Sequence, residues 1–278
     1  MSFPSWPLIP ALVVLIAFFL VPLLIMTGIS FVSRGPYGGI EWILTWENYV
    51  RLADPLYWHI FIRSVGLAVA TTLICVVLGF PLAYLMARSS PRVQYLLICL
   101  VLIPFWTNFL VRTYAWMFLL RADGLVNTTL RTLGLSDHPV ELLYTPWAVL
   151  IGLVYGYLPF MVLPLYAAIE RIAPSLEEAA RDLYATGWAV FTQVVLPLAK
   201  PGLVAGCVLV FVPSLGAFIT PHLLGGGQTM MIGTLIQHEF LVVRDWPFGA
   251  ALSLVFMATV LLILLLWLKR QEAMWRTL

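Results

Sequence analysis

Residues 175–197 read SLEEAARDLYATGWAVFTQVVLP. They form a charged, amphipathic island between two long apolar runs. Glu177, Glu178, Arg181 and Asp182 fall within six residues, whereas the flanking sequence carries almost no charge. On a helix, Leu176, Ala179, Ala180 and Leu183 recur at i, i+3, i+4 and i+7, which is one face. Ala179 and Ala180 keep that face thin, so another surface can approach it closely. Ser175-x-x-Glu178 after Pro174 fits a capping box, with Ser175 capping and Glu178 reaching back. A second short helix is expected from Thr186 or Gly187, with Trp188, Phe191, Val194 and Val195 on its apolar side. Leu196-Pro197 would end it, and Pro201 would open the next apolar run. A plain solvated loop accounts for the charges, but the thin apolar face points to a helix pair that docks on a partner.

The surrounding composition is that of a membrane protein: 62% hydrophobic and 10% charged, where soluble domains run near half and a quarter. The net charge of +2 gives no basis for a nucleic-acid partner. Cys75, Cys99 and Cys207 lie in separate apolar runs with no metal-ligand spacing, and read as small buried hydrophobes. Runs of about 18–25 apolar residues can cross a bilayer as helices. Six are expected, over 8–32, 62–87, 94–120, 146–169, 201–224 and 249–268. The first lacks Lys or Arg before its apolar run and exceeds a signal-peptide core, so it is read as a retained span. Pro22, Pro81, Pro104, Pro159, Pro164 and Pro213 fall in these runs and predict kinks that line a cavity.

With the N-terminus inside, the inner segments hold Arg88, Arg92, Arg171, Arg181, Lys200, Lys269, Arg270 and Arg276. The outer segments hold only Arg34, Arg51, Arg121, Arg131 and Arg244. The bias favours both termini inside, which puts residues 175–197 in the cytoplasm. The outer segments also carry more acids than bases, a weak field that attracts cations. Short amphipathic helices are expected in the outer loops 33–61 and 121–145.

Polar groups at membrane depth are functional candidates. Asn108, Arg112 and Tyr155 qualify, with Arg63 placed closer to a span end as an interfacial anchor. His222, before Leu-Leu-Gly-Gly-Gly, marks an external turn and is a further candidate for the substrate pathway. Glu239 and Asp245, with Arg244 and Trp246 beside them, are candidate carboxylates near the outer mouth. No HExxH, GxSxG or GxxxxGK[ST] occurs, which argues against an intramembrane enzyme and against ATP hydrolysis by this chain. The absence of inverted halves argues against a self-contained secondary transporter.

Glu178-Ala179-Ala180, Val194 and Leu196-Pro197 resemble the EAA-x3-G-x9-I-x-LP loop of binding-protein-dependent ABC importer permeases. ENYVRLADPLYW, LIPFWTNFLVRTYAW, GLVYGYLPFMVLPLYAAIERI, LEEAARDL, HLLGGG and EFLVVRDWPFGAA are similar to segments of the spermidine/putrescine-type subunits. The resemblance implies an all-α membrane protein with six transmembrane helices of the type I ABC importer permease fold. Cytoplasmic coupling helices would lie between helices 4 and 5. It implies an N-terminal helix and outer loop over 1–60, a type-1 transmembrane domain over 61–270 with its coupling loop at 174–197, and a cytoplasmic tail over 271–278. Leu176, Glu177, Glu178, Ala179, Ala180, Arg181, Asp182, Tyr184, Gly187, Val194, Leu196 and Pro197 would couple to the ATPase. The implied partners are a second homologous permease, two cytoplasmic ATPase subunits and an extracytoplasmic binding protein. ATP and Mg would sit on the ATPase, with no cofactor on this chain. The localisation would be the bacterial inner membrane.

Two departures stand out. The motif glycine falls at Tyr184, so the turn is expected to shift to Gly187. Related polyamine permeases often carry a carboxylate after the proline of the fifth span, where this chain has Pro213-Ser214-Leu215-Gly216-Ala217-Phe218 and Pro221-His222. An amino-acid derivative, an opine-like compound or an anion therefore stands as the alternative solute.

Overall fold

The computed structural model describes residues 8–275 except Asp137. The last part of the expected 271–278 tail lies outside the described residues. The chain divides into two compact units, Met1–His59 with Leu235–Leu278, and Ile60–Thr234.

In the first unit, α1 (Leu8–Ser30) is apolar all round and its central stretch is fully exposed, as lipid contact requires. A short antiparallel hairpin follows, β1 (Val32–Arg34) and β2 (Ile40–Leu44), with Ser33 opposite Glu41 and Arg34 opposite Ile40. Gly38 and Gly39 turn it at φ 90 and 81, a region that favours glycine. The loop was expected to hold only a helix. That helix exists as α2 (Glu47–Arg51), but the hairpin precedes it. Buried Asn48 joins the two: its Nδ2 donates to the Ser30 and Val32 carbonyls at 3.0 and 2.9 Å.

The second unit is built on long helices. α3 (Pro55–Arg88) enters it at Ile60. α4 (Pro91–Trp106) and α5 (Phe109–Leu120) replace the single expected span 94–120, and the run is bent by 94° at the break between them. Local chemistry explains the break. Pro104 cannot donate a backbone hydrogen bond. Thr107 Oγ1 donates to the Pro104 carbonyl at 2.7 Å, and Asn108 Oδ1 accepts from Leu110 N–H at 2.8 Å to start a new helix. α6 (Leu125–Thr132) is the amphipathic stretch expected in the next loop.

α7 (Pro146–Glu170) is capped by Thr145, whose Oγ1 accepts from Ala148 N–H at 3.2 Å. Its Met161, Val162, Leu165 and Ile169 are fully buried among Cys75, Phe80, Ala83 and Met86 of α3. α8 (Pro174–Asp182) and α9 (Gly187–Val190) form the charged island. A π-turn over Phe191–Val195 then leads into α10 (Leu196–Leu215). The expected stop at Leu196-Pro197 does not occur. Pro197 falls in the first turn of α10, where a missing N–H costs little. α10 lies close along α7: a Cβ on Gly202 would stand 2.5 Å from the Pro164 carbonyl oxygen, and one on Gly206 2.7 Å from Met161 Sδ. Small residues four apart allow that approach.

The span expected to reach residue 224 ends at Leu215. Gly216 terminates α10, and α11 (Ile219–Gly225) is a separate helix. α12 (Ile232–His238) leaves this unit at Leu235. In the first unit again, a π-turn over Glu239–Val243 precedes α13 (Trp246–Trp275), which packs against α1. Among the described residues, five helical runs are long and apolar enough to cross a membrane, and six if the bent α4–α6 run is one span.

Candidate functional site

The island places its side chains the opposite way from a helix lying on its own core. Leu176, Ala179, Leu183, Tyr184 and Trp188 are exposed, Leu183 at 81% and Tyr184 at 97%. The side chain turned inward is Glu177, 3% exposed, with Ala180 half-buried beside it. Glu178 and Asp182 face outward. Apolar side chains left in water oppose the hydrophobic effect unless something else covers them.

Inward, Glu177 is held tightly. Arg88 donates to Oε1 from Nε at 2.9 Å and from Nη2 at 2.6 Å. Tyr84 O–H donates to Oε2 at 2.7 Å, and Arg181 Nη2 lies 3.6 Å from the same oxygen. Burial alone would push the Glu177 carboxyl up. The Tyr84 hydroxyl and the Arg88 and Arg181 guanidinium groups outweigh it and hold the carboxyl below its usual range. Tyr84 and Arg88 are the partners of Glu177 that sequence reading did not single out. Their signal was weak: a tyrosine and an arginine four apart at a helix end, facing a loop 89 residues away.

The expected capping box is not formed. The N-cap of α8 is Ala173, with no side-chain bond, and Glu178 is exposed. Pro174 at the first turn begins the helix two residues earlier than Ser175 capping requires. The turn after α8 also differs from expectation. Tyr184 itself takes φ 61, and Gly187 opens α9 without a positive φ. Tyr184 N–H donates to the Arg181 carbonyl at 2.9 Å and Ala185 N–H to the Ala180 carbonyl at 3.1 Å. This is a Schellman closure with tyrosine at the left-handed position. Thr186 caps α9 by accepting from Ala189 N–H at 3.3 Å. Trp188 stacks on Phe191, which meets Phe80 of α3 edge-on. Val194 and Leu196 are half-buried and Pro197 is exposed.

The polar candidates separate into groups. Asn108, Arg112 and Tyr155 come together around the α4–α5 break. The Asn108 carbonyl accepts from Arg112 N–H at 3.1 Å, and Arg112 and Tyr155 line one small pocket with Phe109, Thr113 and Trp116. The Arg112 guanidinium lies 5.5 Å from the rings of both Phe105 and Phe109. Its Nε and Nη1 are buried with no hydrogen-bond acceptor among the described residues. Tyr155 meets Trp116 edge-on. Arg63 Nη2 donates to Thr229 Oγ1 at 3.3 Å, and His222 is exposed on α11. A larger cavity of about 670 Å³ opens at the end of α5 beside the segment that leads into α7, lined by Arg121, Asp123, Glu141, Tyr144 and Gln228. Sequence reading placed a short amphipathic helix in this outer loop and no cavity.

Glu239 and Asp245, expected at an open mouth, are both buried. Asp245 is fully enclosed: it accepts from Arg51 at 2.8 Å and from Phe248 N–H at 3.1 Å, capping α13. Arg51 stacks 4.0 Å over the Phe248 ring. Burial and the neighbouring Asp245 carboxylate push the Glu239 carboxyl above its usual range, against the pull of Arg51, His238 and Arg34. Trp246 stays half-exposed.

Residues 79–271 match the family described as binding-protein-dependent transport system inner membrane component. The chain is 43% identical over 253 residues to the spermidine/putrescine transport system permease protein PotB of Escherichia coli strain K12, covering 91% of this chain and 92% of that protein. It is 36% identical over 225 residues to the inner membrane ABC transporter permease protein YdcU of the same organism, covering 76% and 71%. Among solved structures, it is similar to a chain of a bacterial alginate ABC transporter in complex with an alginate pentasaccharide-bound periplasmic protein. There the TM-score is 0.71 at 22% identity, covering 95% of this chain and 92% of that one.

Proposed function

The chain belongs to the binding-protein-dependent transport system inner membrane component family, and on that premise we propose that this multi-pass permease subunit imports a polyamine such as spermidine or putrescine. The identity to PotB over nine-tenths of both chains is the observation that carries the substrate class. The outward apolar face of α8 supports a seat for a separate cytoplasmic ATPase subunit, present twice in the assembly. A second homologous permease completes the pathway, and an extracytoplasmic binding protein delivers the solute. Both termini then lie in the cytoplasm, in keeping with the bias of basic residues.

ATP-driven closure of the ATPase pair moves residues 175–197 and opens the pathway outward to the loaded binding protein. Hydrolysis returns it to the inward-open state. Arg112 and Tyr155, which line one small pocket, and Asn108, which caps α5 at the α4–α5 break, are this chain's candidates for the pathway. The test is uptake of radiolabelled spermidine and putrescine by proteoliposomes holding the four-part complex. ATP-dependent uptake of either supports the assignment. Stimulation by neither sinks the substrate while leaving the family intact.

A second reading rests on Arg112. Two buried guanidinium donors without an acceptor favour a solute that brings a carboxylate or carbonyl oxygen. Competition of an amino-acid derivative against labelled spermidine in the same vesicles decides between the two.

A further inference from the structure

Glu177 is enclosed while Leu176 and Glu178 on either side of it are exposed. It sits in the first turn of α8, and its partners Tyr84 and Arg88 stand one turn apart at the end of α3. Arg88 also donates from Nη2 to the Ile172 carbonyl at 3.2 Å, in the link between α7 and α8. One guanidinium thus joins the end of α3, that link and α8. The same end of α3 is anchored by Phe80, Ala83 and Met86, all in the core of the second unit.

We propose that Glu177 is the positioning residue that transmits displacement of α8 to α3, through Arg88 and Tyr84. This rests on reading residues 175–197 as the seat of the ATPase. Transmission requires a joint that resists shear. The other inward side chain of α8 is Ala180, which offers one methyl group and allows sliding. The Glu177 joint is charge-assisted, desolvated and directional, with donors on both carboxylate oxygens. Turning α8 by one residue would break every one of these bonds, so α3 follows α8 instead. Outward residues such as Leu183 hold the partner, and Glu177 passes on its movement.

The experiment uses the complete transporter in proteoliposomes, with binding protein loaded with spermidine or putrescine. Glu177→Gln keeps the side chain's size and removes its charge. The expected result is normal co-purification with the ATPase and an unchanged KM for ATP. Binding-protein-stimulated ATP turnover and uptake should fall about tenfold, as for loss of one charge-assisted hydrogen bond. The exchange Glu177→Arg with Arg88→Glu should recover part of that loss. Wild-type stimulated turnover in Glu177→Gln would overturn the proposal, and so would loss of co-purification, which would make Glu177 part of the docking surface. If Glu177→Gln fails to reach the membrane, Tyr84→Phe removes a single donor and should lower stimulated turnover severalfold; a wild-type rate there also overturns the proposal. Leu183→Glu tests the underlying reading separately: co-purification that survives it removes the ATPase from this face, whatever Glu177 does.

Discussion

Ala185 donates its backbone N–H to the Ala180 carbonyl at 3.1 Å, and that bond closes the turn in which Tyr184 is held at φ 61. The closure ends α8 and sets the direction of α9. It also leaves the tyrosine ring almost wholly in solvent, beside Leu183.

Tyr184→Gly should therefore keep the loop's shape and relieve about 1 kcal/mol of left-handed strain. Tyr184→Val should destabilise the chain relative to wild type, because a β-branched residue fits φ > 0 worst. Gly187→Ala should be tolerated, since its φ is not positive and nothing lies within 4 Å of an added Cβ. Thermal unfolding of the purified complex ranks the three. A large loss for Gly187→Ala would return the turn to residue 187.

Two buried carboxylates should respond to pH in opposite senses. Glu177 has its carboxyl lowered below 4.5, so its stabilisation is present above that pH and is lost as pH falls through the lowered value. Glu239 has its carboxyl raised above 4.5, so its favourable contribution is present below that pH and is lost as pH rises through the raised value. Glu177→Gln should then be less stable than wild type at neutral pH and approach it in acid. Glu239→Gln should be at least as stable as wild type at neutral pH, with its advantage vanishing in acid. Unfolding midpoints measured across pH 3.5–7.5, a span about the ordinary carboxylate pKa, check both signs.

Arg51→Ala strands the fully buried Asp245 carboxylate. Breaking a fully buried pair costs about 3–5 kcal/mol. Arg51 is partly solvated, so about 1–3 kcal/mol is expected here. Adding Asp245→Asn should recover much of the loss, because the stranded charge is then gone and the amide oxygen can still cap α13. A double variant as unstable as Arg51→Ala would show that the Arg51 stack on Phe248 is the larger contribution.

Gly202→Ala should cost about 1–3 kcal/mol by forcing α10 off α7. The added methyl would meet both Ala168 Cβ and the Pro164 carbonyl oxygen at 2.5 Å. Gly216→Ala meets nothing within 4 Å and serves as the comparison. Yield of folded protein in detergent separates them.

The apolar runs, the break signals and the island were legible in the chain because each is local. Apolar length sets span number, and Pro104 signalled a kink in the 94–120 run, but neither the cap at Asn108 nor the angle of 94° was read from it. The spacing of Leu176, Ala179, Ala180 and Leu183 predicted a face for a partner; three of those side chains are exposed, while Ala180 is half-buried against the core. Where local rules competed, the outcome needed the fold. Ser175 and Gly187 were the better residues for a cap and a turn by propensity alone. Yet Pro174 starts α8 two residues earlier than a Ser175 cap requires, and the closure at Ala185 holds Tyr184 in the left-handed region.

By itself, then, the sequence determined that this is a helical membrane protein with an amphipathic helix pair between two apolar runs, since hydrophobic length and helical period depend only on neighbours along the chain. Only the tertiary structure decided that Glu177 rather than Glu178 turns inward, and that Asp245 is sealed by Arg51 instead of open to solute. Arg88 lies 89 positions from Glu177, and Arg51 lies 194 from Asp245. A buried charge takes whichever counter-charge the packing brings within reach, and no spacing rule extends that far.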